Sequence, residues 1–376
     1  MKSLGLYIHI PFCVKKCHYC DFYSVCHTNE GESEYVNALC DHIRNEAHQY
    51  KDYEIDTVFL GGGTPSVLSA ESILQISQTV KVSFKLSSTL EFTIEANPGT
   101  LDAQKLSAYK NAGINRLSIG LQSTSDKELC ALGRIHTLET FAHSYSLARE
   151  YGFDNISIDV MYGLPNQTVE DFSKTLDHVC DFNPEHISAY CLKIEENTHF
   201  GKIRSTLTLP DDDEEYEMYM LLCEKLKARG YEQYEISNFS KSGFYSRHNM
   251  KYWQSQEYIS FGPAAHSYFE GKRYSYSRDI DKYIKCPQKV YDTENDGESV
   301  AKIDKMDEYV MLKLRLAGGV DEGEFFEKFG TPFAEEYPEA EKFIKSGHMV
   351  HKNGAYRFTS KGFFVSNYIL TEILHF

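Results

Sequence analysis

Apolar and polar positions alternate with period two over residues 6–10, where Leu6, Ile8 and Ile10 fall on one side and Tyr7 and His9 on the other. That is the pattern of a strand with one buried face, and Pro11 ends it. Residues 32–50 then carry Tyr35, Leu39, Ile43 and Ala47 at helical spacing, so a helix follows. The pair of patterns repeats, predicting strands over 56–60, 90–95, 116–121, 156–160 and 186–192 and helices over 69–84, 103–112, 138–151, 169–179 and 212–229. Six strand–helix units in succession imply parallel strands joined by right-handed crossovers, an α/β fold. A closed eight-fold barrel needs two more units, which the chain does not plainly supply.

The pattern changes at residue 231. Residues 231–269 are aromatic and polar with few helical signals, and a stretch that long is more often a functional cover than a connection. Residues 290–299 are polar and acidic and read as a linker. The last part begins with an amphipathic helix marked by Tyr309, Leu312, Leu314 and Leu316, and ends with a short β run at 356–359 and a final helix over 362–374. The expected division is 1–230 for the strand–helix repeat, 231–289 for the aromatic segment and 290–376 for a small domain of helices and a hairpin.

Charge narrows the function. The chain carries 39 basic and 55 acidic residues, a net −16, which argues against a nucleic-acid or anionic-membrane surface. No apolar run approaches the ~20 residues of a membrane span. The opening MKSLGLYIHIPFC leads straight into the first strand without a cleavable signal, so the chain reads as cytoplasmic. Seven of the ten cysteines are scattered and read as reduced thiols packed as small hydrophobes.

The other three, Cys13, Cys17 and Cys20, share the loop at the carboxyl end of the first strand, where α/β folds place their chemistry. Cys-x3-Cys-x2-Cys spacing lets three sulfurs converge on one small metal centre. A structural zinc wants a fourth protein ligand, for which His9 and His18 are the candidates, and its cysteines usually come as separated pairs. Three sulfurs suit a four-iron cubane with one iron open. Clustered buried thiols are the plain alternative, and Cys26, separated from Cys20 by five residues, is a rival sulfur.

YIHIPFC and the following HYCDF resemble the cluster loop of the radical S-adenosylmethionine (SAM) family, and within it the group that unites oxygen-independent coproporphyrinogen III oxidases with HemW-type heme chaperones. The resemblance implies a partial (β/α)6 barrel with a small C-terminal winged-helix-like α+β domain. It implies a [4Fe–4S] cluster on Cys13, Cys17 and Cys20 whose free iron chelates SAM, and cleavage of SAM to a 5′-deoxyadenosyl radical by an electron from a donor such as a flavodoxin or ferredoxin. Gly62, Gly63 and Thr64 match the family's glycine motif at the methionyl ammonium. Glu95 and Asp159 match acceptors for ribose or ammonium, Gln122 and Arg134 match donors, and Tyr7 and Tyr19 match residues lining the adenine and cluster side.

His248-Asn249-Met250-Lys251-Tyr252-Trp253 resembles the HNxxYW motif of the HemW-type members. It implies heme held through His248 and delivered to a recipient hemoprotein, with peripheral membrane contact through that recipient. The alternative within the group is oxidative decarboxylation of coproporphyrinogen III to protoporphyrinogen IX. The oxidase pattern has a fourth cysteine where this chain has Phe22, and a long extension before the first strand where this chain starts almost on it.

Overall fold

Strand and helix periods sort the residues of the repeat into two faces, and the computed structural model, which describes residues 1–291 and 302–375, shows what each face meets. Six strands, β1 Lys2–Ile10, β2 Tyr53–Gly62, β3 Leu86–Ala96, β4 Arg116–Gln122, β5 Ile156–Tyr162 and β6 His186–Cys191, lie parallel and in chain order in one sheet. Their outward residues, among them Ile8, Leu60, Ile94, Ile119, Ile158 and Ile187, are fully buried under the crossover helices. Each such side chain stabilises the fold by about 1.5–3 kcal/mol.

The helices are α1 Asn29–Glu46, α2 Ala70–Ser83, α3 Ala103–Ala112, α4 Leu138–Glu150, α5 Val169–Asp181 and α6 Asp212–Ala228. Each starts at a side-chain cap, Thr28, Ser69, Asp102, Thr137, Thr168 and Asp211 in turn, whose oxygen accepts a backbone N–H of the first turn. The partial (β/α)6 barrel expected from the cluster-loop resemblance is the observed architecture.

The opposite face of the strands is polar. Glu91, Thr93 and Glu95 of β3, Arg116 and Ser118 of β4, Ser157 and Asp159 of β5, and His186 and Ser188 of β6 alternate with the aliphatic residues and are enclosed rather than solvated. Parallel strands covered on both faces usually read as continuous apolar runs. Here one face packs the core and the other lines an interior.

The aromatic segment closes that interior. It contributes β7 Glu232–Gln233, β8 Asn238–Ser240, helix α7 Arg247–Trp253, β9 Tyr258–Phe261, β10 His266–Phe269, β11 Lys272–Tyr276, α8 Ile280–Lys285 and β12 Lys289–Tyr291. β9 pairs parallel with the free edge of β1, Gly5 to Ile8 against Tyr258 to Phe261, and becomes a seventh parallel strand. β10 to β12 continue the sheet antiparallel beyond it, and β8 and β7 extend the far edge past β6. The segment is thus part of the sheet, with strands of two to five residues, too short for alternation to declare them.

α7 is held by tertiary contacts. The carboxylate of Glu91 accepts the backbone N–H groups of Arg247 and His248, both at 3.0 Å, and Lys251 Nζ lies 2.8 Å from Asp56 Oδ1 on β2. A seven-residue helix is marginal alone, so these anchors rather than periodicity create it.

Of the acidic linker, residues 292–299 lie outside the described residues. The C-terminal part is a small α+β domain with a three-stranded sheet, Val320–Asp321, Ala355–Phe358 and Met349–Lys352, the second of these central. Its opening helix spans Lys302–Leu314, and the single final helix expected over 362–374 is two, Ser360–Phe364 and Ser366–Ile373. The domain docks through Ile236 N–H to Arg315 O and Ala317 N–H to Tyr234 O, both 3.0 Å, and through Phe364 against Tyr216 and Tyr219 of α6. Among the described residues no helix is long and apolar enough to cross a membrane.

Candidate functional site

Carboxyl ends of parallel strands leave backbone and polar side chains converging on one rim, and here that rim surrounds a cavity of about 970 Å³. Cys13, Cys17 and Cys20 reach it from the loop after β1. Gly62, Gly63 and Thr64 reach it from the end of β2, Glu95 from β3, Gln122 from β4 and Asp159 from β5. Arg134, Tyr7 and Tyr19 complete the set, so twelve residues singled out in the sequence share one cavity.

The cysteine loop is seated by backbone. Gly63 N–H donates to Ile10 O at 2.8 Å and Thr64 N–H to Phe12 O at 2.7 Å, so the end of β2 carries the loop. A Cβ on Gly63 would stand 2.6 Å from Phe12 O, and one on Gly62, whose φ is +115°, 2.5 Å from the His9 ring. These glycines make room for the loop and for His9 as well as for anything in the cavity.

A polar chain links loop to strands. Cys13 Sγ lies 3.5 Å from Thr64 Oγ1, Asn97 Nδ2 donates to Thr64 Oγ1 at 2.9 Å, and Arg134 Nη2 donates to Asn97 Oδ1 at 2.8 Å and to Gly120 O at 2.6 Å. Arg134 Nη1 reaches Cys17 Sγ at 3.6 Å. The guanidinium therefore sits where thiolate charge would gather. Gln122 has φ +71° at a register shift between β4 and β5, a strained bulge that re-aims its side chain at the rim.

The carboxylates are deep and poorly solvated. Burial, then the neighbouring Asp159 charge, pushes the Glu95 carboxyl up to about 8, opposed by the Gly62 N–H that donates to Glu95 Oε2 at 3.0 Å. Burial also raises Asp159, against hydroxyl donors from Ser118 at 3.1 and 3.2 Å and from Ser157 at 3.3 Å. Arg116 Nε and Arg134 Nε are buried donors without a protein partner. Two acids and two partly unmatched guanidinium groups in one cavity suit a ligand that carries a cation and a carboxylate together.

The zinc reading finds no fourth ligand here. His9 Nε2–H donates to Tyr23 O at 3.0 Å, which fixes the tautomer and leaves Nδ1 to accept the Tyr7 hydroxyl at 3.1 Å. His18 bonds Ala131 O through Nδ1 and packs against His199, outside the cavity lining. Cys26 is exposed and also outside it. Three soft sulfurs lining one cavity are the donor type that an iron–sulfur cubane with an open iron would take.

His248 is not brought to the cavity. It is 1% exposed, with Nδ1 at 2.9 Å from Thr57 Oγ1 and Nε2 at 2.8 Å from Tyr252 OH, and it stacks on Phe59. Both nitrogens are engaged, and burial drives its pKa down to about 3. The motif helix instead presents Asn249 and Tyr252 to the cavity. Asn97, Arg116, His266 and Arg278 also line it and were not singled out. The sequence signals they carried were a charge opening an otherwise aliphatic strand for Arg116, a place directly after β3 for Asn97, and for His266 the run GPAAHS, which resembles the HemW-type members.

The family model described as the radical SAM superfamily matches residues 7–179, and that of the HemN C-terminal domain matches residues 300–365. The heme chaperone HemW of Bacillus subtilis is 36% identical over 378 residues, covering 100% of this chain and 99% of that one. The heme chaperones HemW of Haemophilus influenzae and Escherichia coli are 34% and 35% identical, again over 100% of this chain and 98% and 99% of theirs. The solved structure of the coproporphyrinogen III oxidase HemN of Escherichia coli, described as a radical SAM enzyme, superposes with a TM-score of 0.84 at 21% identity, covering 98% of this chain and 89% of that chain, a likeness of fold. With a cysteine-bearing half-barrel, a HemN-type C-terminal domain and end-to-end similarity of this depth, the chain belongs to the HemW family of radical SAM proteins.

Proposed function

We propose that this protein binds heme and hands it to a recipient hemoprotein, using a [4Fe–4S] cluster held by Cys13, Cys17 and Cys20 and a SAM molecule held by the polar interior. The observation that carries the reading is the similarity to HemW chaperones over the full chain, joined to a cavity in which twelve family-matching residues meet. Held by those sulfurs, a cluster would supply an open iron for the amino and carboxylate groups of SAM and the electron for its cleavage.

The chain's own residues do the rest. Arg134 places its guanidinium 3.6 Å from Cys17 Sγ, beside a sulfur that would hold the cluster. Glu95 and Asp159 receive the ammonium or ribose hydroxyls, and Gln122 and Arg116 supply donors to the carboxylate and hydroxyls. Tyr7 donates its hydroxyl hydrogen bond to His9 Nδ1, so its oxygen is left to accept from the ligand. Burial and the neighbouring Asp159 push the Glu95 carboxyl up to about 8, so it is largely protonated at neutral pH and loses that proton when both its oxygens accept from the ligand's amino and ribose hydrogens. Calorimetry of SAM binding in buffers of differing ionisation enthalpy reads the protons released. Glu95→Gln is expected to lower the release, and an unchanged release in that variant removes Glu95 from the ligand.

Transfer is tested by incubating heme-loaded protein with an apo-hemoprotein acceptor and following the shift in Soret absorbance. A parallel incubation of the reconstituted protein with coproporphyrinogen III, SAM and a reductant should yield no protoporphyrinogen. Formation of protoporphyrinogen at catalytic rates, with no heme transfer, would overturn the chaperone reading in favour of the oxidase. A ferredoxin or flavodoxin serves as electron donor in the same reading.

A further inference from the structure

A histidine can hold heme iron only through an imidazole nitrogen with a free lone pair, facing a space wide enough for a porphyrin. Of the fifteen histidines in the chain, only His9 and His266 line the cavity. His9 is closed to iron, since Tyr23 O and the Tyr7 hydroxyl occupy its two nitrogens and the ring is 5% exposed. His266 is different. It is exposed at the cavity wall, and no hydrogen bond or ring contact engages its imidazole.

The backbone before His266 is built to aim it. Gly262 has φ +113° and Ala264, a residue with a Cβ, has φ +60°; Ala264 N–H is shared by Tyr276 O at 3.2 Å and Ser277 O at 3.1 Å, and Tyr276 N–H donates to Ala265 O at 3.1 Å. A left-handed alanine persists only where its surroundings hold it, and such strain gathers at working sites. β10 starts directly after this turn. Ala265 and Ser267 point into the protein at 1% exposure each, so alternation turns His266 outward into the cavity.

Its neighbours suit a porphyrin dianion. His266 pairs with Ser275 of β11, three residues before Arg278, both His266 and Arg278 line the cavity, and Arg278 is exposed with Nη2 3.5 Å from Asp21 O. Lys15, also exposed, lines the same cavity. In a chain of net charge −16, cations beside an open imidazole give carboxylates a place to rest. Tyr252 and Tyr258 supply aromatic surface on this wall.

We infer that His266, rather than His248, is the axial ligand to heme iron, with Arg278 receiving a propionate. This rests on the heme reading of the preceding section and names the residue that does the binding. His248 then acts as the brace of α7, positioning Tyr252 through the bond between their side chains.

The test is a titration of the full-length protein with ferric heme, read by Soret absorbance and by resonance Raman lines of the iron–histidine unit, in wild type, His266→Ala and His248→Ala. His266→Ala is expected to lose the histidine-ligated signature and at least tenfold in affinity, and millimolar imidazole should restore the signature. His248→Ala should keep it while melting at lower temperature. Unchanged spectra and affinity in folded His266→Ala overturn the ligand assignment and leave the heme reading standing. Loss of the signature in His248→Ala with a melting temperature equal to wild type would return the ligand role to His248. Failure of the wild-type protein to bind heme at all sinks the heme reading itself, whatever the variants do.

Discussion

Cys17→Ala protein, reconstituted anaerobically with iron and sulfide, carries no four-iron cluster and loses the broad visible absorbance, while its far-ultraviolet circular dichroism stays that of wild type. The cubane has three protein sulfurs, and with one gone two remain on a loop that offers no substitute. Cys26, the nearest other thiol in sequence, is exposed and outside the cavity lining, and His9 has both nitrogens in use. The fold survives because the aliphatic face of six strands and the helices over it form a core that the loop does not supply. Iron and acid-labile sulfide analysis checks the result. About four irons per chain in the variant would overturn the assignment of the three sulfurs. SAM cleavage, measured as release of 5′-deoxyadenosine, should disappear with the irons.

Lys251→Met is expected to destabilise the protein by about 1–3 kcal/mol, the cost of removing a charged hydrogen-bond donor from a largely buried site, moderated because Asp56 is partly solvated and keeps Arg247 Nη2 at 3.7 Å. Lys251 has a side chain 3% exposed, and its ammonium holds Asp56 at 2.8 Å. The pair clamps α7 to β2 at the same place where Thr57 meets His248 and Glu91 caps the helix. Without it the helix that presents Asn249 and Tyr252 loosens, so the loss is felt at the cavity as well as in the melting curve. Neutralising the carboxylate in Lys251→Met/Asp56→Asn should return part of the stability, because the charge that lost its nearer partner is then gone, while the weaker contact with Arg247 is given up. Equal denaturant midpoints for wild type and Lys251→Met would show that the clamp is worth nothing. A double variant as unstable as the single one would place the loss in packing of the lysine stem instead.

The motif around His248 shows why a residue pattern and a residue's role differ. The six-residue match is specific enough to point at the family, yet four of its side chains divide between two tasks once the chain is folded. His248 and Lys251 face β2 and anchor the helix, whereas Asn249 and Tyr252 face the cavity. The glycine triplet divides in a similar way, with Gly63 under the carbonyl of Phe12 and Gly62 under the ring of His9. His266 lies in GPAAHS, a run that resembles the HemW-type members, but its opening to the cavity was not legible there, because it depends on a left-handed turn and on β9 pairing with an edge of β1 some 250 positions earlier in the chain.

By itself the order of residues determined the six strand–helix units, the caps that start each helix, and the convergence of three sulfurs on one loop. These are matters of local period, local hydrogen bonding and short spacing, and they survive without knowledge of distant partners. Only the tertiary structure decided that the polar face of the strands encloses a cavity, that the aromatic segment becomes part of the sheet, and which histidine is open to a ligand. Each of those turns on contacts between residues tens to hundreds of positions apart. Whether an imidazole is spent on a hydroxyl or left free for iron is a property of that closure, and no window along the chain contains it.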